Sequence, residues 1–306
     1  MIGFVLDRAV QAALTLVVIS VIVFGLTRMT GSPVDLLLPA DATPADVKAI
    51  EKRLGLHRSL PEQYLYFVKD GMVNGFGQSL RYRVNTASEV VQERISATFY
   101  LALFSLALVL VIGTPLGIVS AMYRGSPFDL GVRVMMTLVQ ATPLFLVALL
   151  AIRVISVEFG WLPTSGYGVK HAILPASILA MSALPGVVRL LRSSTIGALS
   201  SEYVRFARIK GVPERVVILK HAVLNALVAP LTFFGTLAAL FLTGTVVTET
   251  IFAWPGLGSL AVSSVRSRDF PVVQAIILFF ALIFVVVNFV VDILYAVVDP
   301  RIRYWR

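Results

Sequence analysis

The sequence predicts an all-α protein built into a membrane, on three observations. First, 58% of the 306 residues are hydrophobic and 14% are charged, whereas soluble domains carry roughly 45–50% apolar and about 25% charged residues. Second, a helix needs about 20 mostly apolar residues to cross the hydrocarbon core, and predominantly apolar runs of that order recur at about 9–27, 97–122, 134–152, 172–188, 226–248 and 272–294. Third, lipid offers no partner to free backbone N–H and C=O groups, so a spanning segment must be a helix or a closed barrel. The ten-residue alternation of a barrel strand is absent from the sequence. Six membrane-spanning helices within one domain of 1–306 are therefore expected.

Taken in order, the first run has no small-x-small cleavage pattern after it and reads as a retained span. The outer loop that follows, 29–93, is too long for a simple connection. Within it Thr43 and Asp46 make a capping box around Pro44, with Val47, Ile50 and Leu54 at helical spacing and Gly55 as a stop. Ser59 and Glu62 repeat the device around Pro61. Two amphipathic helices outside the membrane are expected, either as a lid or partner surface or as a cap on the span ends. In the second span Gly113 and Gly117, four apart, would allow a close helix contact. Pro115, Pro143, Pro175, Pro185 and Pro230 would accommodate bends. The fourth span is the shortest and carries two of those prolines. Trp161 and Trp254, in turn-rich outer loops, read as interfacial anchors. The Trp254–Gly258 turn and the folded outer loop are expected to border the opening that receives a solute.

Lys and Arg exceed Asp and Glu by 26 to 17, a formal net charge of +9. In a soluble protein this would suggest nucleic acid; here it reads as a topology signal, and no nucleic-acid partner is expected. Six spans put both termini on one side. That side collects 13 of the basic residues, the opposite short loops four, and the long outer loop nine. Because basic residues mark cytoplasmic loops, both termini are expected in the cytoplasm. The sequence contains no cysteine, which excludes disulfides and thiolate metal sites.

The inner loop 189–225 holds the candidate site. Glu202 to Gly211 has the chemistry of a short, self-limited helix. Ser201 is placed to cap it, Glu202 lies in the first turn where the helix dipole favours an anion, and Arg208 and Lys210 lie in the last turn where it favours cations. Gly211 suits a left-handed C-cap, and Pro213 blocks continuation. Tyr203, Phe206, Ala207 and Lys210 share one face, with Arg205 and Arg208 largely off it. Periodicity alone leaves three fates open for such a helix: the lipid surface, the underside of its own spans, or a groove in another protein.

This loop resembles the cytoplasmic EAA-type motif of importer permeases of the ATP-binding-cassette (ABC) class, with Glu202, Tyr203, Val204 and Gly211 at the motif positions and the two usual alanines replaced. GVPERVVILKHAVLNAL, TETIFAWPGLG (Thr248 to Gly258), RDFPVVQ (Arg268 to Gln274), GWLPTSG and the ending DPRIR extend the resemblance through the chain. It is similar to the B-type permease subunits of dipeptide, oligopeptide, glutathione and nickel importers. The resemblance implies a type I ABC importer permease fold in a bacterial inner membrane. It also implies a homologous second permease, two ATP-binding subunits, an external solute-binding protein, and the 202–211 segment as the coupling helix. Glu202, Tyr203, Arg205, Phe206, Ala207, Lys210 and Gly211 would then contact the ATPase.

Other chemistry is weakly supported. There is no GxxxxGK[ST] phosphate loop, so ATP and Mg would be bound by partner subunits and no cofactor is expected on this chain. His57, His171 and His221 are scattered, and neither a metal site nor a catalytic constellation is expected. Ion-driven transporters usually keep ionisable groups at mid-membrane, whereas Glu249 and Asp292 fall near span ends. A secondary transporter or channel working alone is the alternative. Gln140, Thr142, Asn225, Thr248 and Glu249 are the polar candidates for a translocation path, and small peptides are the expected cargo among related small solutes.

Overall fold

A computed structural model describes residues 2–29, 57–82, 84–243 and 245–298, together with the isolated positions 43, 45, 48 and 52. The expected capping box at Thr43 and Asp46, the helix leading to Leu54 and the DPRIR ending lie outside the described residues. The described chain is helical, with an isolated bridge between Gln78 and Thr86. Its helices are α1 (Ile2–Met29), α2 (Leu60–Val73), α3 (Ala87–Leu108), α4 (Thr114–Met122), α5 (Pro127–Ala141), α6 (Leu144–Ala151), α7 (Val169–Leu199) and α8 (Glu202–Ile209). They continue with α9 (Glu214–Val216), α10 (Leu224–Ala226), α11 (Val228–Thr243), α12 (Val246–Ile251), α13 (Leu257–Arg266) and α14 (Phe270–Val298). π-Helical turns at Val109–Gly113, Ile152–Glu158 and Val217–Val223 continue or join them.

Among the described residues five helices are long and apolar enough to cross a membrane: Val5–Arg28, Ala87–Met122, Val169–Leu199, Phe233–Ile251 and Phe270–Ile293. A sixth is completed if Pro127–Ala141 and Leu144–Glu158, bent by 96°, are one span. The sequence placed one span at 134–152, with Pro143 as a residue that would accommodate a bend. The chain leaves the helix at Thr142 because the residue before a proline is pushed out of the α region; Thr142 has ψ 127° and Pro143 follows with ψ 127°. The fourth span is longer than expected. α7 runs past Val188 to Leu199 through both prolines, because Arg189 and Arg192, which read as loop residues, find partners on α5.

The chain forms two compact units. Among the described residues one is built on Phe99–Trp254 with 290–298, the other on Ile2–Thr98 and Pro255–Phe289. In the first unit the small residues of α4 allow a close helix contact, as their spacing suggested. A Cβ on Gly117 would come 2.7 Å from the Leu191 Cβ and 3.0 Å from the Val188 carbonyl of α7. Elsewhere in this unit Leu174, Ile178, Ala148 and Phe252 form an apolar cluster.

In the second unit α2 is the second expected outer helix, with the Ser59 N–H donating to Glu62 Oε2 at 3.2 Å. Its Tyr64 and Phe67 pack on Phe24 of α1, each at 5.7 Å between ring centroids, and the Tyr64 and Ser20 hydroxyls lie 2.8 Å apart. α3 opens on a capping box not noticed in the sequence: the Thr86 N–H donates to Glu89 Oε2 at 2.8 Å and the Glu89 N–H to Thr86 Oγ1 at 3.3 Å. Asp269, just ahead of α14, is buried and gathers the 79–82 turn. It accepts from Ser79 Oγ at 2.5 Å and from the backbone N–H groups of Leu80 and Arg81, each at 3.2 Å.

Candidate functional site

The short helix expected in the 189–225 loop forms, as α8 from Glu202 to Ile209. It stops as expected. Gly211 adopts φ +73°, its N–H reaches the Arg208 carbonyl at 3.0 Å, and the Val212 N–H reaches Ala207 at 3.2 Å. No atom stands within 4 Å of a Cβ built on Gly211, so the demand for glycine is the left-handed backbone itself. The N-terminus differs from expectation. Ser201 occupies the cap position, but its hydroxyl turns back and donates to the Ala198 carbonyl at 2.5 Å instead of capping α8.

The two faces of α8 divide differently from the sequence reading. Val204 and Ala207 are 0% and 8% exposed and pack on Ala198, Val217, Ala222 and Ala226 of the same chain. Ala207 therefore belongs to the face that holds α8 to its own spans and is not on a free apolar face. Tyr203, Phe206 and Ile209 are 45%, 59% and 81% exposed. Ile209 is at i+6 from Tyr203, a position the i, i+3, i+4, i+7 pattern passes over, but it is i+3 from Phe206 and so continues the Tyr203–Phe206 row. Lys210 Nζ lies 4.8 Å from the Phe206 ring centroid, and exposed Arg205 lies 3.9 Å from Glu202.

Past the turn at Gly211, Arg208 makes a forked pair with Glu214, at 3.1 and 2.6 Å. This hydrogen bonding holds the Glu214 carboxyl below the usual carboxylate range and raises the Arg208 guanidinium.

The five path candidates separate. Thr248 and Glu249 are buried inside the chain, where Thr245 Oγ1 donates to Glu249 Oε1 at 2.7 Å and the Trp254 N–H donates to the Glu249 carbonyl at 2.8 Å. Gln140, Thr142 and Asn225 are exposed. Thr142 donates to the Leu138 carbonyl at the α5–α6 break, and Asn225 donates to the His221 carbonyl. Gln140 accepts from Arg189 in a cleft between α5 and α7. Trp161 is exposed, in keeping with an anchor, but Trp254 is not: it is fully buried and stacks on Tyr100 with centroids 6.0 Å apart.

One constellation escaped the sequence reading. Asp129, in the first turn of α5, is fully buried and accepts from Arg192 Nε at 2.6 Å and a terminal guanidinium nitrogen at 2.8 Å. It also accepts from Ser120 Oγ at 2.7 Å and the Gly125 N–H at 3.0 Å. It thereby joins α4, α5 and α7. The local signal was present in Ser126-Pro127, since the Asp129 N–H is capped by Ser126 Oγ at 3.2 Å. Nothing local identified Arg192 as the partner.

Residues 113–304 match the sequence model of the family described as binding-protein-dependent transport system inner membrane component, and residues 1–101 match that of its N-terminal membrane component. The chain is 37% identical over 309 aligned positions to the glutathione transport system permease protein GsiC of Escherichia coli (strain K12), covering 99% of this chain and 100% of GsiC. GsiC of Shigella flexneri serotype 5b (strain 8401) gives the same identity and coverage. Among solved structures, an amino acid ABC transporter with histidines superposes with TM-score 0.50 at 20% identity, covering 70% of this chain and 94% of that one. The MetNI methionine ABC transporter in an inward-facing form superposes with TM-score 0.50 at 16% identity, covering 69% and 96%. These two likenesses are of fold.

Proposed function

Because the chain belongs to the binding-protein-dependent transport system inner membrane component family, and so is the permease component of an ABC importer and not an enzyme by itself, we propose that α8 is the element through which partner ATPases drive it. The observation that carries this reading is the division of α8 into two apolar faces. Val204 and Ala207 fix the helix to its own chain, and Tyr203, Phe206 and Ile209 are left outward on a charged loop. An exposed apolar row beside Glu202 and Arg205 suits a cleft in another protein, where each large side chain would contribute about 1.5–3 kcal/mol on full burial. Nucleotide binding by the ATPases would displace α8. The Val204–Ala207 packing would pass that displacement to α7 and the 217–226 segment, a rigid-body switch of the kind found in domain rotations.

In the same reading the chain crosses the inner membrane six times, with α5 and α6 as one broken span and both termini cytoplasmic. The 29–93 segment is external, a second permease completes the path, and a binding protein delivers small peptides or a related solute such as glutathione. A cysteine at Ser59 should then react with an impermeant thiol reagent from outside and one at Ser200 should not; reversed labelling removes the orientation. The coupling role is tested by Phe206→Asp and Ile209→Asp in the reconstituted complex. Both should accumulate in the membrane and lose most substrate-stimulated ATP hydrolysis. Full stimulation by both variants at equal expression would remove α8 from the mechanism. Ala207→Asp is unsuitable, since its charge would be buried inside this chain.

A further inference from the structure

We propose that the cleft between α5 and α7 is a binding station for the carboxylate of the transported solute, with Arg189 as the residue that takes it. This inference rests on the permease reading above. The cleft encloses about 390 Å³ and is lined by Arg133, Met136, Thr137, Gln140, Arg189 and Arg192 among others. Three guanidinium groups therefore meet in it, and they are not equivalent. Arg192 is held in a fork by Asp129. Arg133 lies 3.6 Å from the same carboxylate. Asp129 also accepts from Ser120 and Gly125, so its lone pairs are taken. One carboxylate thus faces three cations, which leaves two positive charges over the cleft.

Arg133 and Arg189 are both exposed, but Arg133 lies beside the Asp129 carboxylate, whereas the partner Arg189 has in the cleft is the neutral Gln140. A guanidinium carries five donors in a planar fork, and a single amide oxygen leaves most of them available. Gln140 accepts through Oε1, so its own NH2 remains a further donor beside the fork. Donors in excess, a fork geometry and surplus positive charge together fit a carboxylate, which accepts bidentately from arginine. Met136 and the apolar walls around it suit the uncharged remainder of a small peptide.

The chain has no cysteine, so Thr137→Cys gives a single reporter in the cleft, read on this chain by mass spectrometry. The full complex with its ATPases is placed in phosphatidylcholine nanodiscs. The rates of an anionic and a cationic methanethiosulfonate are compared; their ratio cancels any effect on the thiol itself. The anionic reagent should react about tenfold faster, as a focused positive field predicts, and Arg189→Gln should abolish most of that preference while Arg189→Lys keeps it. Dialanine should protect the thiol, dialanine C-terminal amide should not, and Arg189→Gln should remove the protection. The proposal is overturned by an absent preference, by a preference that survives Arg189→Gln, or by equal protection from acid and amide. It is also overturned if added phosphatidylglycerol abolishes dialanine protection, since a lipid phosphate then holds the cleft. Failure of ATP-driven uptake with the charge preference intact would remove the functional reading and leave an anion-binding cleft.

Discussion

Two aspartates in this chain are buried to the same degree and neutralised in different ways. Asp129 is 0% exposed and meets a guanidinium fork, a hydroxyl and a backbone N–H. Asp269 is 1% exposed and is held by the Ser79 hydroxyl and two successive backbone N–H groups, with the first turn of α14 immediately behind it. The first is a charge pair between helices far apart in sequence. The second is a negative charge set at a helix N-terminus, where the dipole favours it, and it organises a turn. A buried charge requires either a counter-charge or several oriented dipoles; this chain uses one solution in each of its units. The difference lies in what happens when one member is removed. Loss of Asp129 leaves the half-buried Arg192 guanidinium without its counter-charge beside two further arginines, whereas loss of Asp269 leaves only neutral donors unpaired.

That asymmetry sets the order of the expected effects. The largest should come from Asp129→Asn, which leaves the Arg192 fork facing an amide. Removing one partner of a buried pair costs about 3 kcal/mol or more, and thermal unfolding in detergent should fall accordingly. The double variant Asp129→Leu with Arg192→Met should recover most of the loss, since a buried pair replaced by apolar groups is often neutral. If the single and double variants were equally unstable, the pair would not be the source of the cost. Asp269→Asn should be milder, about 1–3 kcal/mol, because the amide oxygen still accepts from the turn. An effect on unfolding as large as that of Asp129→Asn would erase the distinction.

Smaller still are the serines on each carboxylate. Ser120 only donates to Asp129, so Ser120→Ala should cost about 1 kcal/mol. Ser79 donates to Asp269 and also accepts from the N–H groups of Arg81 and Tyr82, at 3.2 and 2.8 Å. Ser79→Ala should therefore exceed Ser120→Ala in the same unfolding assay; the reverse order would mean that the 79–82 turn is held by something other than Asp269. The exposed Arg208–Glu214 pair marks the lower limit of the scale. The Glu214 carboxyl is held below its ordinary value in the folded chain. Its contribution is then present above the ordinary carboxylate range and is lost only as pH falls through the lowered value. Stimulated ATP hydrolysis by Glu214→Gln and the parent should show parallel pH profiles between about pH 5 and 8; divergence in that window would mean a pair of greater consequence than its exposure allows.

The sequence by itself determined what depends on neighbours a few residues apart. Apolar runs dictated helices long enough to span lipid, because the backbone has no other way to satisfy itself there. Ser59 with Glu62 started α2, Gly211 with Pro213 ended α8, and the four-residue spacing of Gly113 and Gly117 made room for α7. The same short-range rules named the α8 segment as the candidate site. They could not say which side of it would be free: Ala207 and Phe206 are adjacent in sequence and comparable in pattern, and only the packing of Val217, Ala222 and Ala226 buries the first and exposes the second. Tertiary structure alone decided that Trp254 would be buried and not interfacial, that Thr248 and Glu249 would turn inward, and that α7 would continue through Arg189 and Arg192. It alone joined Asp129 to Arg192 across 63 positions and Ser79 to Asp269 across 190. Caps and periodicities act within one or two turns, where the chain's own geometry fixes the distance. A buried charge selects its partner from whatever the finished packing brings within about 3 Å, and nothing in the order of residues fixes that distance.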